Sequence, residues 1–162
     1  MNKFDLNNRT AVITGGAQGF GLDIAKKFLK FGANVIIWDI DKKELEKTSK
    51  GINNERLSFN IVDVSNFEQV TKAVSKITAA SNIDILINNA GITGSTSTVW
   101  EYNVNEWEKI VQINLMGTFY CCKSVVLNMI KNNYGRIVNV ASVAGKDGML
   151  MLARIALQKL EL

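Results

Sequence analysis

A β-branched run, Thr10–Thr14 (TAVIT), stops at Gly15 and Gly16 and passes within a few positions into apolar residues at helical spacing, Leu22, Ala25, Phe28 and Leu29. A buried strand that enters a helix through a glycine-rich loop commits the chain to a β-α-β beginning. The rest of the sequence keeps that rhythm. The first helix reads over residues 21–31 with Gly32 as its stop, and residues 34–38 (NVIIW) form a second strand. Residues 42–50 are charged and helical, 57–62 a third strand, and 67–80 an amphipathic helix with Val70, Ala73, Val74 and Ile77 inward. Residues 83–87 (IDILI) make a fourth strand, a long helix covers about 105–132, and 136–140 (RIVNV) is a fifth strand.

Short apolar strands alternating with helices predict an α/β fold with a doubly wound parallel sheet, helices on both faces and about five strands. In such sheets ligands bind beyond the carboxyl ends of the strands, where strand order reverses. The loops after the strands are therefore where chemistry is sought.

The first of these loops reads Thr14-Gly15-Gly16-Ala17-Gln18-Gly19-Phe20-Gly21. Its glycines let the backbone turn tightly and approach a pyrophosphate, and the helix start supplies free N–H groups and a positive dipole end. The spacing is G-x-x-x-G-x-G rather than G-x-G-x-x-G, and the Lys-Ser/Thr of a triphosphate loop is absent. Asp39 ends the second strand eighteen positions after Gly21, where an acid can accept from adenosine ribose hydroxyls and repel a 2′-phosphate, which predicts NAD over NADP. Asp63 and Val64 follow the third strand, placed to meet an adenine edge. After the fourth strand, Asn88-Asn89-Ala90-Gly91 offers small and amide residues suited to packing on a cofactor and bracing strands. Asn114 lies inside the long helix, a poor place for Asn unless it is exposed or has a special partner. Ser142 follows the fifth strand and points toward the same crevice.

Composition excludes several chemistries. The chain has no His, which removes Ser-His-Asp and Cys-His nucleophile systems and the common His-bearing zinc sites. Cys121 and Cys122 are adjacent and too few for a closed metal site, so no metal is expected and a packing role in a reducing compartment is. The net charge of +4 is spread along helix faces without a basic block, which argues against nucleic acid. No run of eighteen apolar residues occurs and Asn2, Lys3, Asp5 and Asn7 interrupt any leader, so the expectation is a cytoplasmic protein with no membrane contact.

Taken in order, T-G-G-A-Q-G-F-G, Asp39, Asp63-Val64, N-N-A-G, Asn114 and Ser142 resemble the short-chain dehydrogenase/reductase family over residues 5 to about 148. The resemblance implies a Rossmann-type oxidoreductase that moves a hydride between a nicotinamide and an alcohol or ketone. It implies cofactor binding at Gly15, Gln18, Gly19, Phe20, Gly21, Asp39, Asp63, Val64, Asn89, Ala90 and Gly91. It also implies a tetrad of Asn, Ser, Tyr and Lys. Asn114 would hold a water of the proton relay and Ser142 would bond the substrate oxygen, while a Lys lowers the pKa of the acid/base Tyr. The family usually forms homotetramers through the long helix and the helix that follows the Tyr-Lys motif.

One stretch departs from the pattern. The family's Tyr falls thirteen positions after Ser142, where this chain has Ile155; Lys159 stands at the position of the family's Lys. Residues 149–162 (MLMLARIALQKLEL) have no family character, so the expected division is a dinucleotide-binding domain over 1–148 and a non-family tail over 149–162. Degenerate codons read one frame over from the third base of the Gly148 codon permit N-A-N-A-S-A-Y-S-A-S-K-A-G-A, with Tyr at 155 and Lys at 159. The expectation is a frameshift near codon 148, a fold lacking its C-terminal part, a fifth strand open to aggregation, and no regular tetramer. The chain as sequenced is expected to be inactive, and a non-catalytic dinucleotide-binding remnant or unstable product is the alternative. Sugars, polyols, hydroxy acids and 3-oxoacyl compounds are the candidate substrates.

Overall fold

The computed structural model describes residues 5–142. Ile155, Lys159 and the tail over 149–162 lie outside the described residues. Five strands, β1 (Thr10–Thr14), β2 (Asn34–Asp39), β3 (Leu57–Ile61), β4 (Ile85–Asn88) and β5 (Arg136–Asn139), form one sheet in the order β3-β2-β1-β4-β5. Every pairing is parallel, with Val12 opposite both Ile36 and Leu86. The order reverses at β1, whose neighbours are β2 and β4. The doubly wound expectation holds.

Helices cover both faces because side chains alternate along each strand. Ala11, Ile13, Ile85 and Ile87 pack on one side with Ala25 and Leu29 of α1 (Gly19–Lys30) and Leu45 of α2 (Lys42–Gly51). Val12 and Leu86 face the other side and meet α3 (Phe67–Thr78) through Val70, Val74 and Ile77. On that side Cys121, Val125 and Met129 of α5 (Gly117–Lys131) complete the layer. Burying such side chains contributes about 1.5 to 3 kcal/mol each before the entropy cost of ordering them.

The long helix is not uniform. It consists of α4 (Val104–Val111), a π-helical segment (Gln112–Met116) and α5, continuous over Val104–Lys131. An 18-residue window of it reaches a mean hydropathy of 1.4, which by length and composition is enough to cross a membrane. Here its apolar residues divide between two faces: Cys121, Val125 and Met129 are buried, whereas Leu127 and Ile130 are 72% and 68% exposed. Strand β4 runs Ile85–Asn88 where residues 83–87 were expected, and the preceding Asp84 is tied to both neighbouring strands, its N–H donating to the Thr10 carbonyl and its carbonyl accepting the Arg136 N–H, both at 2.9 Å. Its carboxylate accepts from the Thr10 N–H at 2.9 Å and from Arg9 at 3.0 Å. Helix α1 starts at Gly19 rather than at position 21, because the Gln18 carbonyl already accepts the Leu22 N–H.

Burial pushes the Cys121 thiol up to about 12, and the neighbouring Cys122 adds to the rise. Ionisation then favours the unfolded chain, so stability from this group is complete below the ordinary thiol value of 9.0 and is lost as pH rises toward about 12. Urea midpoints measured from pH 8 to 11 should fall less steeply in Cys121→Ala than in the unaltered chain. Parallel slopes would place the thiol in solvent.

Candidate active site

One cavity of about 360 Å³ opens at the carboxyl ends of the strands. Gly15 and Gln18 reach it from the loop after β1, Asp39 from β2, and Asp63 and Val64 from the segment after β3. Asn89, Ala90 and Gly91 reach it from the loop after β4. Residues as far apart in the chain as Gly15 and Gly91 thus meet at the reversal of strand order. Ile40, Asp41, Val62, Ile92 and Ile113 also line it. Asp41 could have been suspected from its proximity to Asp39; Ile113 carries no signal, because its place depends on how the π segment lies.

The glycine loop is fixed from several sides. The Ala17 N–H donates to Asp39 Oδ2 at 3.1 Å, and its carbonyl accepts from the Thr48 hydroxyl at 2.7 Å. Asp39 Oδ1 accepts the Asp41 N–H at 3.0 Å. A carboxylate offers about four lone-pair sites, so Asp39 retains acceptor capacity toward the cavity. Gly15 lies in the left-handed region at φ +61, and a Cβ there would press on the Ala90 backbone at 2.8 Å. Gly21 is buried, and a Cβ on it would collide with the Gly15 carbonyl and the Asn89 amide. Its contribution is close packing. Gly19 and Phe20 stand at the start of α1 outside the cavity lining, with Phe20 80% exposed.

Thr14 joins the first and fourth loops. Its hydroxyl accepts the N–H groups of Asn89 and Ala90, both at 3.0 Å, and donates to the Ile87 carbonyl at 3.4 Å. Asn89 Nδ2 returns the contact, donating to the carbonyls of Thr14 at 3.1 Å and Gly15 at 2.9 Å. The sequence places Thr14 at the start of the glycine motif but gives it no role of its own, since a strand-end Thr looks like ordinary β propensity.

Asp63 Oδ1 accepts from the Ser65 N–H and hydroxyl at 2.9 and 2.6 Å, forming the turn that leads into α3. Asn114 has the special partner its position demanded. Its Nδ2 donates to the Ile92 carbonyl at 3.0 Å, and its Oδ1 accepts the Ile92 N–H at 2.9 Å. The π segment around it widens the helix where this side chain leaves the ladder. Ser142 follows β5 on the same carboxyl edge and is half-buried.

Helix α1 differs from its neighbours at its start. Asp41, Asn66 and Asn103 cap α2, α3 and α4 with their side chains, but Gln18 makes no such bond and the first turn of α1 has no acid. Its first N–H groups therefore receive no capping bond from Gln18.

Comparison with known proteins agrees with this architecture. Residues 9–154 match the short chain dehydrogenase family. The chain is 43% identical over 141 residues to a 2-dehydro-3-deoxy-L-rhamnonate dehydrogenase (NAD(+)) of Sphingomonas sp. (strain SKA58), covering 86% of this chain and 56% of that protein. It is 37% identical over 147 residues to the 3-oxoacyl-[acyl-carrier-protein] reductase FabG of Chlamydia muridarum, covering 88% of this chain and 59% of the relative. A crystal structure of NAD+-bound xylitol dehydrogenase superposes with a TM-score of 0.87 at 31% identity, over 95% of this chain and 60% of that one.

The chain belongs to the short-chain dehydrogenase family, whose members are NAD(P)-dependent oxidoreductases with a nucleotide-binding Rossmann fold. It spans less than two thirds of the length of each of these relatives.

Proposed function

We propose that the cavity binds NAD and that the parent activity is hydride transfer between that cofactor and a small polyhydroxylated alcohol or ketone. The observation that carries this reading is the acidic character of one end of the cavity. Asp39, Asp41 and Asp63 line it, and no basic side chain stands among the described lining residues. A 2′-phosphate would meet carboxylates with no cation to compensate, whereas ribose hydroxyls would find acceptors. The uncapped start of α1 and the left-handed Gly15 and Gly19 suit a pyrophosphate held by backbone N–H groups. The NAD named for the Sphingomonas relative and for the xylitol dehydrogenase structure agrees with this preference.

When bound, the nicotinamide supplies the hydride acceptor or donor. This chain's residues supply its seat. Asn89 fixes the glycine loop, Asn114 fixes Ile92, and Ser142 stands where a hydroxyl can bond the substrate oxygen. The loop over 92–98 (ITGSTST) is rich in hydroxyls and has no basic residue, which suits a neutral polyol or sugar better than an anionic carrier. For assembly, the exposed Phe119, Val126, Leu127 and Ile130 of α5 offer a second copy an apolar face. One observation favours a second reading for the chain as sequenced: Ile155 has no titratable proton, which supports dinucleotide binding without turnover.

Calorimetric titration of the chain with NAD and NADP tests the cofactor reading. NAD should bind the more tightly, and Asp39→Ala should lower the preference about tenfold, since bonds to a charged acceptor are worth about 1.5 to 3 kcal/mol. An unchanged ratio would turn Asp39 into a loop anchor only.

A further inference from the structure

Beyond β4 the loop is fastened to the long helix at two places. The first is the pair of bonds between Ile92 and Asn114. The second is a carboxylate clasp: Glu106 Oε1 accepts the Ser95 N–H at 2.5 Å, and Oε2 accepts the Ser95 hydroxyl at 2.7 Å. Glu106, Ile110 and Asn114 recur every four residues and so share one helix face. Ile110 between the two fastenings is fully buried. The loop lies so close to this face that a Cβ on Gly94 would strike Tyr102, Ile110 and Glu106. Only glycine passes.

We propose that Glu106 is a positioning residue for the nicotinamide half of the cofactor site, acting through Ser95 to hold Gly91 and Ile92 in the cavity wall. The inference rests on the dinucleotide reading given above. Strand order supplies the division of the site. Asp39 and Asp63 end β2 and follow β3 on one side of β1, while Gly91, Ile92 and Ser142 follow β4 and β5 on the other. A dinucleotide spanning the reversal at β1 places its adenosine over the first group and its nicotinamide over the second. Asn114 holds the loop at Ile92. The clasp holds it at a second point three residues further on, and a carboxylate accepting two donors from one residue fixes orientation as well as distance.

The test compares two ligands on the full chain by calorimetry. ADP carries the adenosine and pyrophosphate alone, and NAD adds the nicotinamide riboside. Glu106→Ala, with an unchanged helical spectrum, should weaken NAD about tenfold while ADP affinity stays within about twofold, given the loss of charge-assisted bonds. Glu106→Gln keeps an acceptor for the Ser95 N–H and a donor for its hydroxyl, so it should bind NAD like the unaltered chain. Ser95→Ala, which keeps the backbone half of the clasp, should fall between them. Exchange of the Ser95 amide should quicken about tenfold in Glu106→Ala and not in Glu106→Gln, as local opening becomes easier. NAD binding by the unaltered chain with no difference between the two ligands in Glu106→Ala would overturn this inference alone. No binding of either ligand by the unaltered chain would overturn the cofactor reading and this inference with it.

Discussion

With NAD and a panel of polyols, sugars and hydroxy acids, the chain as sequenced is expected to form no measurable NADH. The motif register of the resemblance puts the family's proton-carrying Tyr at the position of Ile155, and a hydrocarbon side chain neither gives nor takes a proton. The sequence has no His to substitute. Loss of a positioned acid/base lowers rates by about two to four orders of magnitude. Ile155→Tyr alone should recover little: Lys159 stands at the Lys position, but residues 149–162 around the pair have no family character, and a phenol near its ordinary pKa of about 10 is a poor base at neutral pH unless its surroundings hold an ammonium beside it. A chain in which the whole reading frame is restored from codon 148 onward supplies Tyr and Lys together with their own neighbours, and should recover turnover. The three proteins are to be compared by absorbance at the reduced nicotinamide band; equal rates would remove the tetrad assignment and the frame hypothesis together.

The second large effect is expected at Thr14. Its side chain is 1% exposed, and the hydroxyl is the shared acceptor for two backbone N–H groups of the fourth loop. Thr14→Val keeps the shape but leaves those donors facing a methyl group, at about 1 to 3 kcal/mol for each donor left unpaired. With two donors affected, the melting temperature should fall by about 5 to 20 °C at this chain length. Affinity for NAD should fall as well, because Asn89 and Ala90 would no longer be held against the glycine loop. Thr14→Ser retains the hydroxyl and should keep most of both properties. A Val variant as stable as the parent would mean that water satisfies these amides.

The sequence was most legible where local pattern and long-range contact agree. The run TAVIT is buried at all five positions, as a central parallel strand requires, and the apolar spacing of α3 names the residues that face the sheet. Asp39, Asp63 and Asn89 were legible because each ends or follows a strand, and parallel strands deliver their carboxyl ends to one edge. What was hidden depends on pairings that no local window contains. Asn114 announced a conflict with its helix, but not that Ile92 would resolve it or that a π segment would form. Glu106 reads as an ordinary acid in a first helical turn, and Ser95 as an ordinary loop hydroxyl. Their meeting depends on the path of a loop with no periodicity. Ala17 was likewise unremarked, although Asp39 and Thr48 fix both of its backbone groups.

The bonds between Thr14 and Asn89 bridge 75 positions of chain, which has a bearing on the order of folding events. The β1-α1-β2-α2-β3 half carries the glycine loop, Asp39 and Asp63, and its contacts are comparatively local. Joining β4 to β1 closes a loop of that length at an entropic cost of roughly 4 kcal/mol before any contact offsets it. A nascent chain that has not yet emitted Asn89 can therefore form the acidic half of the cavity but cannot brace its glycine loop. Ligand capture must await the closure of β4 onto β1, so the pairing at the centre of the sheet is also the kinetic gate to a finished binding site.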